Sequence, residues 1–380
     1  MELLFWIALA GSVYSYAIYP LVLLAILRLR GGQPGTASAN RPTEDLPSLS
    51  FLITARNEAD RITAKLEDTL SQAPTDAEII VVSDASEDAT DERVRGLADP
   101  RIRLVRQEER CGKEAGQKLG IAAARGEVLV FSDVATRIAP GSIDALRRRF
   151  LDPSVGAVSS EDRFITASGG VAGEGLYVRY EMWLRRLESR LAGLVGLSGS
   201  FFAVRREICS DWRTDVPSDF TVALTCARRG LRAVSDPAVI GIYPDLKQAG
   251  DEYARKRRTV VRGMAGLAAA REVLNPLRFG WFSFQAWSHK VLRWAVPWFL
   301  LALLLSSLTL TPHGGLYLGV LILQLIAYLA VLGAWLLRPL RQWGPLRIGY
   351  YFVQVNLAMA DALLRFLRGE RVVTWEPSKR

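Results

Sequence analysis

The chain has 380 residues, of which 50% are hydrophobic and 23% charged, and carries a formal net charge of +9. That length supports a sizeable core. Cys111, Cys209 and Cys226 form no paired spacing and His289 and His313 lie far apart, which excludes a disulfide framework and argues against a zinc site.

Residues 3–27 carry no charge and exceed the ~20 apolar residues needed to cross a bilayer, with Arg28 and Arg30 immediately after. A cleaved signal peptide fits less well. Glu2 stands where a basic start belongs, the apolar run is too long, and no small-residue cleavage site precedes the arginines. Residues 1–30 are therefore expected to be a membrane anchor. Residues 31–47, rich in Gly, Pro, Ser and Thr, are expected to link it to a soluble domain over 48–275.

Within that domain short apolar runs predict strands at 49–54, 78–83, 101–105, 128–132 and 155–158. Helical patterns alternate with them at 58–71, 89–97, 114–124 and 140–150. Such alternation predicts an α/β fold, a parallel doubly wound sheet. Ligands of these sheets bind beyond the carboxyl ends of the strands, where loops and helix amino termini converge. Those ends here carry Arg56, Asn57 and Glu58; then Asp84, Ser86 and Asp88; then Arg110, Gly112 and Lys113; then Asp133. A single Asp in such a place is commonly a helix cap. Four successive polar strand ends are harder to dismiss, and they suit what a ligand with a base, a ribose and a diphosphate needs. Asp84 suits base or ribose, Lys113 suits phosphate, and Asp133 suits ribose or a metal.

Further along, residues 169–175 are glycine-rich but follow no strand that opens a helix, so a flexible loop is expected rather than a dinucleotide motif. The apolar stripe of 176–195 predicts a packed helix. Ser218 reads as the cap of a helix ending at Arg229 and closed by Gly230, with Asp219 in its first turn. Asp219 there either favours the helix dipole or acts in catalysis. Arg255, Arg258 and Arg262 recur at helical spacing over 250–274. Their basic face suits solvent or anionic headgroups, or a clamp on a departing diphosphate with Arg258 as its donor-facing member.

An interfacial segment is expected at 276–293, followed by two apolar runs, 294–311 and 316–337, read as a transmembrane hairpin over 294–337. Arg28, Arg30, Lys290, Arg293, Arg338, Arg341 and Arg347 crowd the ends of the apolar segments, so the positive charge fits membrane orientation better than nucleic acid. Residues 348–367 contain Asn356, Asp361 and Arg365, and are expected to lie in the interface as an amphipathic helix, within a cytoplasmic region 338–380. Three spans then leave the amino terminus outside and the soluble domain in the cytoplasm.

The stretches TARNEADRI (54–62), VVSDASEDAT (81–90), RCGKEAGQKLG (110–120) and GEVLVFSDVAT (126–136) resemble the successive donor-site motifs of family 2 glycosyltransferases of the GT-A fold. The likeness continues through SGSFFAVRRE (198–207), PSDF (217–220) and EYARKRRTVVRG (252–263), covering about residues 48–275. It implies a GT-A domain, membrane-anchored and related to polysaccharide synthases. It also implies an inverting transfer from a nucleotide diphosphate sugar, with uridine diphosphate as the expected carrier, to a saccharide or lipid-linked acceptor. The nucleotide-sugar site so implied takes Ala55, Asn57, Glu58, Asp84, Lys113, Asp133 and Arg258, with Asp133 also the metal ligand, for Mg²⁺ or Mn²⁺. Asp219 falls where the family places its general base.

Three departures bear on this. Asp133, Val134, Ala135 stand where the family often has Asp-x-Asp, so one carboxylate is missing and a metal must find oxygens in Thr136, water or the diphosphate. Arg255 to Thr259 lack the Gln and Trp of the Gln-x-x-Arg-Trp motif of processive polymerases. Ser218 and Asp219 leave a single carboxylate before Phe220. Alternatives are a polyprenyl-phosphate glycosyltransferase, whose anionic acceptor needs no base, a membrane nucleotidyltransferase, and a non-enzymatic scaffold.

Overall fold

The computed structural model describes residues 1–31, 46–165, 175–244, 250–337, 339–340 and 343–370. The linker expected at 31–47, the glycine-rich loop at 169–175 and the carboxyl-terminal tail fall largely outside the described residues. Two compact units are present: Met1–Val22 with Gln248–Ala265 and Ala286–Arg371, and Leu23–Lys247 with Gly266–Gln285 and Val372–Arg380.

The first unit is helical. Among the described residues three helical stretches are long and apolar enough to cross a membrane, Glu2–Leu29, Pro276–His313 and Gly315–Leu336. Glu2–Val13 packs closely on Leu292–Leu310: a side chain on Gly11 would meet the Phe299 ring at 2.6 Å. Phe5 and Tyr317 meet edge to face with centroids 4.9 Å apart. Gln324 donates to Leu300 O (2.9 Å), giving the apolar hairpin an internal polar tie. Gly315–Leu336 leaves Leu316, Ile322, Leu323, Leu329 and Leu332 exposed, a surface suited to hydrocarbon rather than water. The helix Gly344–Leu367 packs on both hairpin helices, and its Asp361 accepts hydrogen bonds from Tyr253 (3.3 Å), Arg257 (3.2 Å) and Arg365 (2.8 Å). That acid, one of the charges that set this helix apart from the other apolar runs, is therefore neutralised within its own unit.

The second unit is built on one eight-stranded sheet. Its strands are β1 (Leu49–Ala55), β2 (Glu78–Asp84), β3 (Ile102–Gln107), β4 (Val128–Ser132), β5 (Arg137–Ile138), β6 (Val155–Ile165), β7 (Phe201–Arg205) and β8 (Arg232–Pro244), in the order β3-β2-β1-β4-β7-β6-β8-β5. β3, β2, β1 and β4 run parallel, as the sequence predicts. Side chains alternate between two cores: Phe51, Ile53, Ile79, Val81 and Val130 enter one, and Leu52, Ile80, Val82, Leu129 and Phe131 the other. Burial on both faces explains why these strands read as continuous apolar runs. Ile62 and Leu66 of the helix Ala59–Gln72 cover the first face, and Val222, Ala223 and Cys226 of Ser218–Arg228 the second.

Beyond β4 the sheet departs from a purely parallel one. β7 lies antiparallel between β4 and β6, so the strand predicted at 155–158 does not follow β4 directly. The physical cause is cross-strand pairing: Phe131 and Phe202 face each other in register and stack at 4.8 Å, with Trp212 also stacked on Phe131 at 5.0 Å.

Candidate active site

At the end of β1, Ala55 is buried and the next residues bind the β2 loop rather than solvent. Arg56 donates from Nη1 to the carbonyls of Asp84 and Ala85 (both 2.8 Å) and from Nη2 to Glu87 (3.0 Å). Asn57 takes a left-handed φ of 51°, which lets its N–H donate to Ser86 Oγ (3.2 Å) while its Oδ1 accepts the Glu87 N–H (2.8 Å). Glu58 donates its N–H to Thr90 Oγ1 (2.8 Å), and its carboxylate meets Arg61 at 2.8 Å. Burial pushes the Glu58 carboxyl above its usual range, with Arg61 opposing. The first N–H of the helix Ala59–Gln72 is satisfied from across the loop by Asp88 (3.0 Å). The first two motifs are thus one knitted wall.

Asp84, at the end of β2, is 5% exposed and accepts the N–H groups of Cys111 (2.8 Å) and Gly112 (3.0 Å), one on each oxygen. Its carboxylate sets the loop between β3 and the helix Lys113–Ala123, with Gly112 at φ 90° to turn the chain into that helix. Each oxygen keeps a further lone pair for a base or ribose donor.

Lys113 opens the helix and reaches across: Nζ donates to Asp133 Oδ1 (2.5 Å) and to the carbonyl of Gly199 (2.8 Å). Asp133 extends the β4–β7 ladder by donating its N–H to Ser200 O (2.9 Å), and Thr136 closes the turn by donating to Asp133 O (3.1 Å). Gly199 is in turn pressed against Asp219, for a Cβ on it would lie 2.7 Å from Asp219 Oδ2. Leu197 N–H also donates to Asp219 O (3.1 Å). One glycine therefore carries Lys113 on its carbonyl and the Asp219 carboxylate beside its Cα. Residues far apart in sequence and given separate tasks by motif are brought together there.

The helix bearing Asp219 begins at Ser218, with Pro217 as its cap residue and no side-chain cap bond, so the capping role expected of Ser218 is not realised. Pro217, with a fixed φ, can start the helix without a donor. Asp219 Oδ1 accepts the adjacent Phe220 N–H (2.9 Å).

The remaining expectations fall elsewhere. Arg258 lies on the helix Gly250–Ala269, in the helical unit. Among the described residues no group of three or more His, Cys, Asp or Glu could hold a metal ion. Asp133 offers one carboxylate, already shared with Lys113, so a divalent cation here would depend on diphosphate and water oxygens for most of its shell.

Two residues escaped the sequence reading. Lys65, 3% exposed, donates to Ser132 Oγ and Thr136 O (both 2.7 Å) beneath the Asp133 turn. Its signal was legible: Lys65 stands with Ile62, Leu66 and Thr69 on the buried stripe of its helix, where a lysine is out of place. Asp162 on β6 accepts from Ser198 Oγ (2.7 Å), Ser160 Oγ (3.2 Å) and Tyr243 OH (3.1 Å), anchoring the segment that carries Gly199.

Residues 50–213 match the family described as glycosyl transferase family 2. The chain carries a family 2 glycosyltransferase domain. It is 36% identical over 110 residues to the succinoglycan biosynthesis protein ExoO of Rhizobium meliloti, covering 29% of this chain and 31% of that one. It is 38% identical over 112 residues to the dolichyl-phosphate beta-glucosyltransferase ALG5C of Trichomonas vaginalis, covering 26% and 33%. The matched stretches thus span about a third of those relatives' lengths. Among solved structures, the mannosyltransferase PcManGT from Pyrobaculum calidifontis, in complex with GDP-Man and Mn²⁺, superposes with a TM-score of 0.73 at 23% identity, covering 97% of this chain and all of that one. The likeness shows the GT-A fold.

Proposed function

We propose that the protein is a membrane-bound inverting glycosyltransferase that moves a sugar from a nucleotide diphosphate donor to a saccharide or lipid-linked acceptor at the cytoplasmic face. One observation carries the reading: Gly199 lies between the cation that suits a departing diphosphate and the carboxylate that suits a general base. In-line displacement needs both, close together and on opposite sides of the reacting carbon.

In this mechanism the walls formed by Ala55, Asn57, Glu58 and Asp84 hold the nucleotide, and Lys113 faces the diphosphate. Asp219 takes the proton of the acceptor hydroxyl as its oxygen attacks the anomeric carbon. The nucleoside diphosphate leaves toward Lys113, whose positive charge stabilises the charge developing on the departing oxygen. A divalent cation, when bound at Asp133, supplies further neutralisation of the diphosphate.

Uridine diphosphate is the carrier expected from the family resemblance, while the Pyrobaculum enzyme was solved with GDP-Man, so both nucleotides belong in the assay. The three apolar stretches and the arginines at their ends support a membrane protein whose soluble domain is cytoplasmic. The test is nucleoside diphosphate release by detergent-purified full-length protein from UDP- and GDP-sugars, with and without Mg²⁺ or Mn²⁺. Release of inorganic diphosphate would make it a nucleotidyltransferase, and failure to bind or turn over either nucleotide would end the proposal.

A second reading is favoured by the Trichomonas relative, whose name specifies a dolichyl-phosphate glucosyltransferase. A polyprenyl-phosphate acceptor is already an anion and needs no base, so transfer that survives Asp219→Asn would select it.

A further inference from the structure

Lys65 is a charged side chain placed where the fold needs none. It lies on the buried stripe of the helix Ala59–Gln72, between Ile62 and Leu66, with 3% of its surface exposed. A methionine would fill the same volume without the cost of taking an ammonium out of water. Its Nζ donates to two groups of one short stretch: Oγ of Ser132, the last residue of β4, and the carbonyl of Thr136, each at 2.7 Å. Between them stands Asp133. The same turn is held by the Thr136 N–H to Asp133 O (3.1 Å), by Thr136 Oγ1 to Ser200 O (3.2 Å), and on the Asp133 side chain by Lys113 (2.5 Å). Lys65 thus ties the two ends of the turn from below while Lys113 grips its carboxylate.

We infer that Lys65 is a positioning residue for donor binding, a buried cation that fixes the Ser132–Thr136 turn and adds positive charge beneath the place where the diphosphate lies. The inference rests on the reading of Lys113 and Asp133 as the diphosphate site. It also gives a physical account of Ala135, where the family often has a second carboxylate. A turn with one acid and two lysines around it draws more of its attraction for diphosphate from side-chain cations and less from a metal bridge. Burial, with Arg137 adding to it, lowers the Lys65 amine to about 8 even against the opposing charges of Asp68 and Asp133.

The test is calorimetric binding of UDP and of GDP to the detergent-purified full chain, with thermal unfolding measured in parallel. Lys65→Met should weaken binding of whichever nucleotide the wild type takes by on the order of tenfold, and leave the unfolding temperature unchanged or higher. A merely structural lysine would lose stability and affinity together, or neither. Ser132→Ala, which removes one acceptor from Lys65 and keeps the charge, should give a smaller loss of affinity and serves if Lys65→Met does not fold. In a double-mutant cycle, Lys65→Met and Asp133→Asn should be non-additive, because both act on one turn. Unchanged affinity in Lys65→Met, or in Ser132→Ala where the first variant is unfolded, overturns the inference while leaving the glycosyltransferase reading intact. A wild type that binds neither nucleotide overturns that reading, and the role of Lys65 falls with it.

Discussion

Under the proposed function, the two sides of the site use their acids differently. On the nucleotide side, Asp84 accepts a backbone N–H on each oxygen, and Asp88 accepts from Ala59 and Thr90. On the acceptor side, Asp219 accepts from the neighbouring Phe220 N–H, and its other oxygen faces Gly199, which has no side chain to cover it. A carboxylate engaged by several donors builds a wall, whereas one with an uncommitted oxygen beside a small residue is placed to take a proton.

That contrast breaks most sharply at Asp219. Asp219→Asn keeps shape and removes the basic oxygen, so transfer to a neutral acceptor should fall by at least about a hundredfold. Donor affinity and melting temperature should stay near wild type. A variant that simply unfolds would put Asp219 with the wall-building acids instead.

Lys113→Met comes next. It removes the cation shared by Asp133 and Gly199, and kcat should drop by roughly ten- to a hundredfold, with a smaller change in KM because the charge matters most as the diphosphate leaves. An effect confined to KM would make Lys113 a ground-state ligand only.

Asp84→Ala should behave in the opposite way to Asp219→Asn. It strands the N–H groups of Cys111 and Gly112, at about 1–3 kcal/mol for each left unpaired, so stability and nucleotide affinity should fall together. A plain base or ribose ligand, as the sequence alone reads Asp84, would instead lose binding and spare the fold. Thermal unfolding beside calorimetric titration decides between the two.

The smallest effect is a pH slope. Burial brings the Lys65 amine from the usual 10.5 to about 8, so between those values the unfolded chain binds more protons than the folded one, and stability rises with pH across that window. The rise contributes at most roughly 3 kcal/mol at ~1.36 kcal/mol per unit. Melting curves of Lys65→Met from pH 7 to 10 should lack it.

How much was legible in advance follows from the range of each signal. β1 to β4 and the helices between them were readable because burial on both faces leaves unbroken apolar runs, and the amphipathic helices between them repeat at 3.6 residues. β7 was not, since five residues flanked by Ser-Gly-Ser and Arg-Glu announce no partner, and only the register of Phe202 against Phe131 sets it beside β4. Ser218 read as a cap from its type alone, yet Pro217 takes the cap position and Ser218 is the first helical residue. The buried place of Lys65 was written in its helical spacing and passed over because its neighbours suggested an ordinary amphipathic face.

The sequence by itself determined the apolar stretches, the parallel half of the sheet and the motifs at its strand ends, because each depends on residues close together in the chain. Only the tertiary structure decided which of those motifs meet. An antiparallel β7 carries Gly199 and Ser200 alongside Asp133, Lys113 spans from another loop to the Gly199 carbonyl, and Asp219 closes on the same glycine from the start of its helix. These contacts depend on strand order and register, which are fixed by packing between distant segments and by hydrogen bonds that no local pattern encodes.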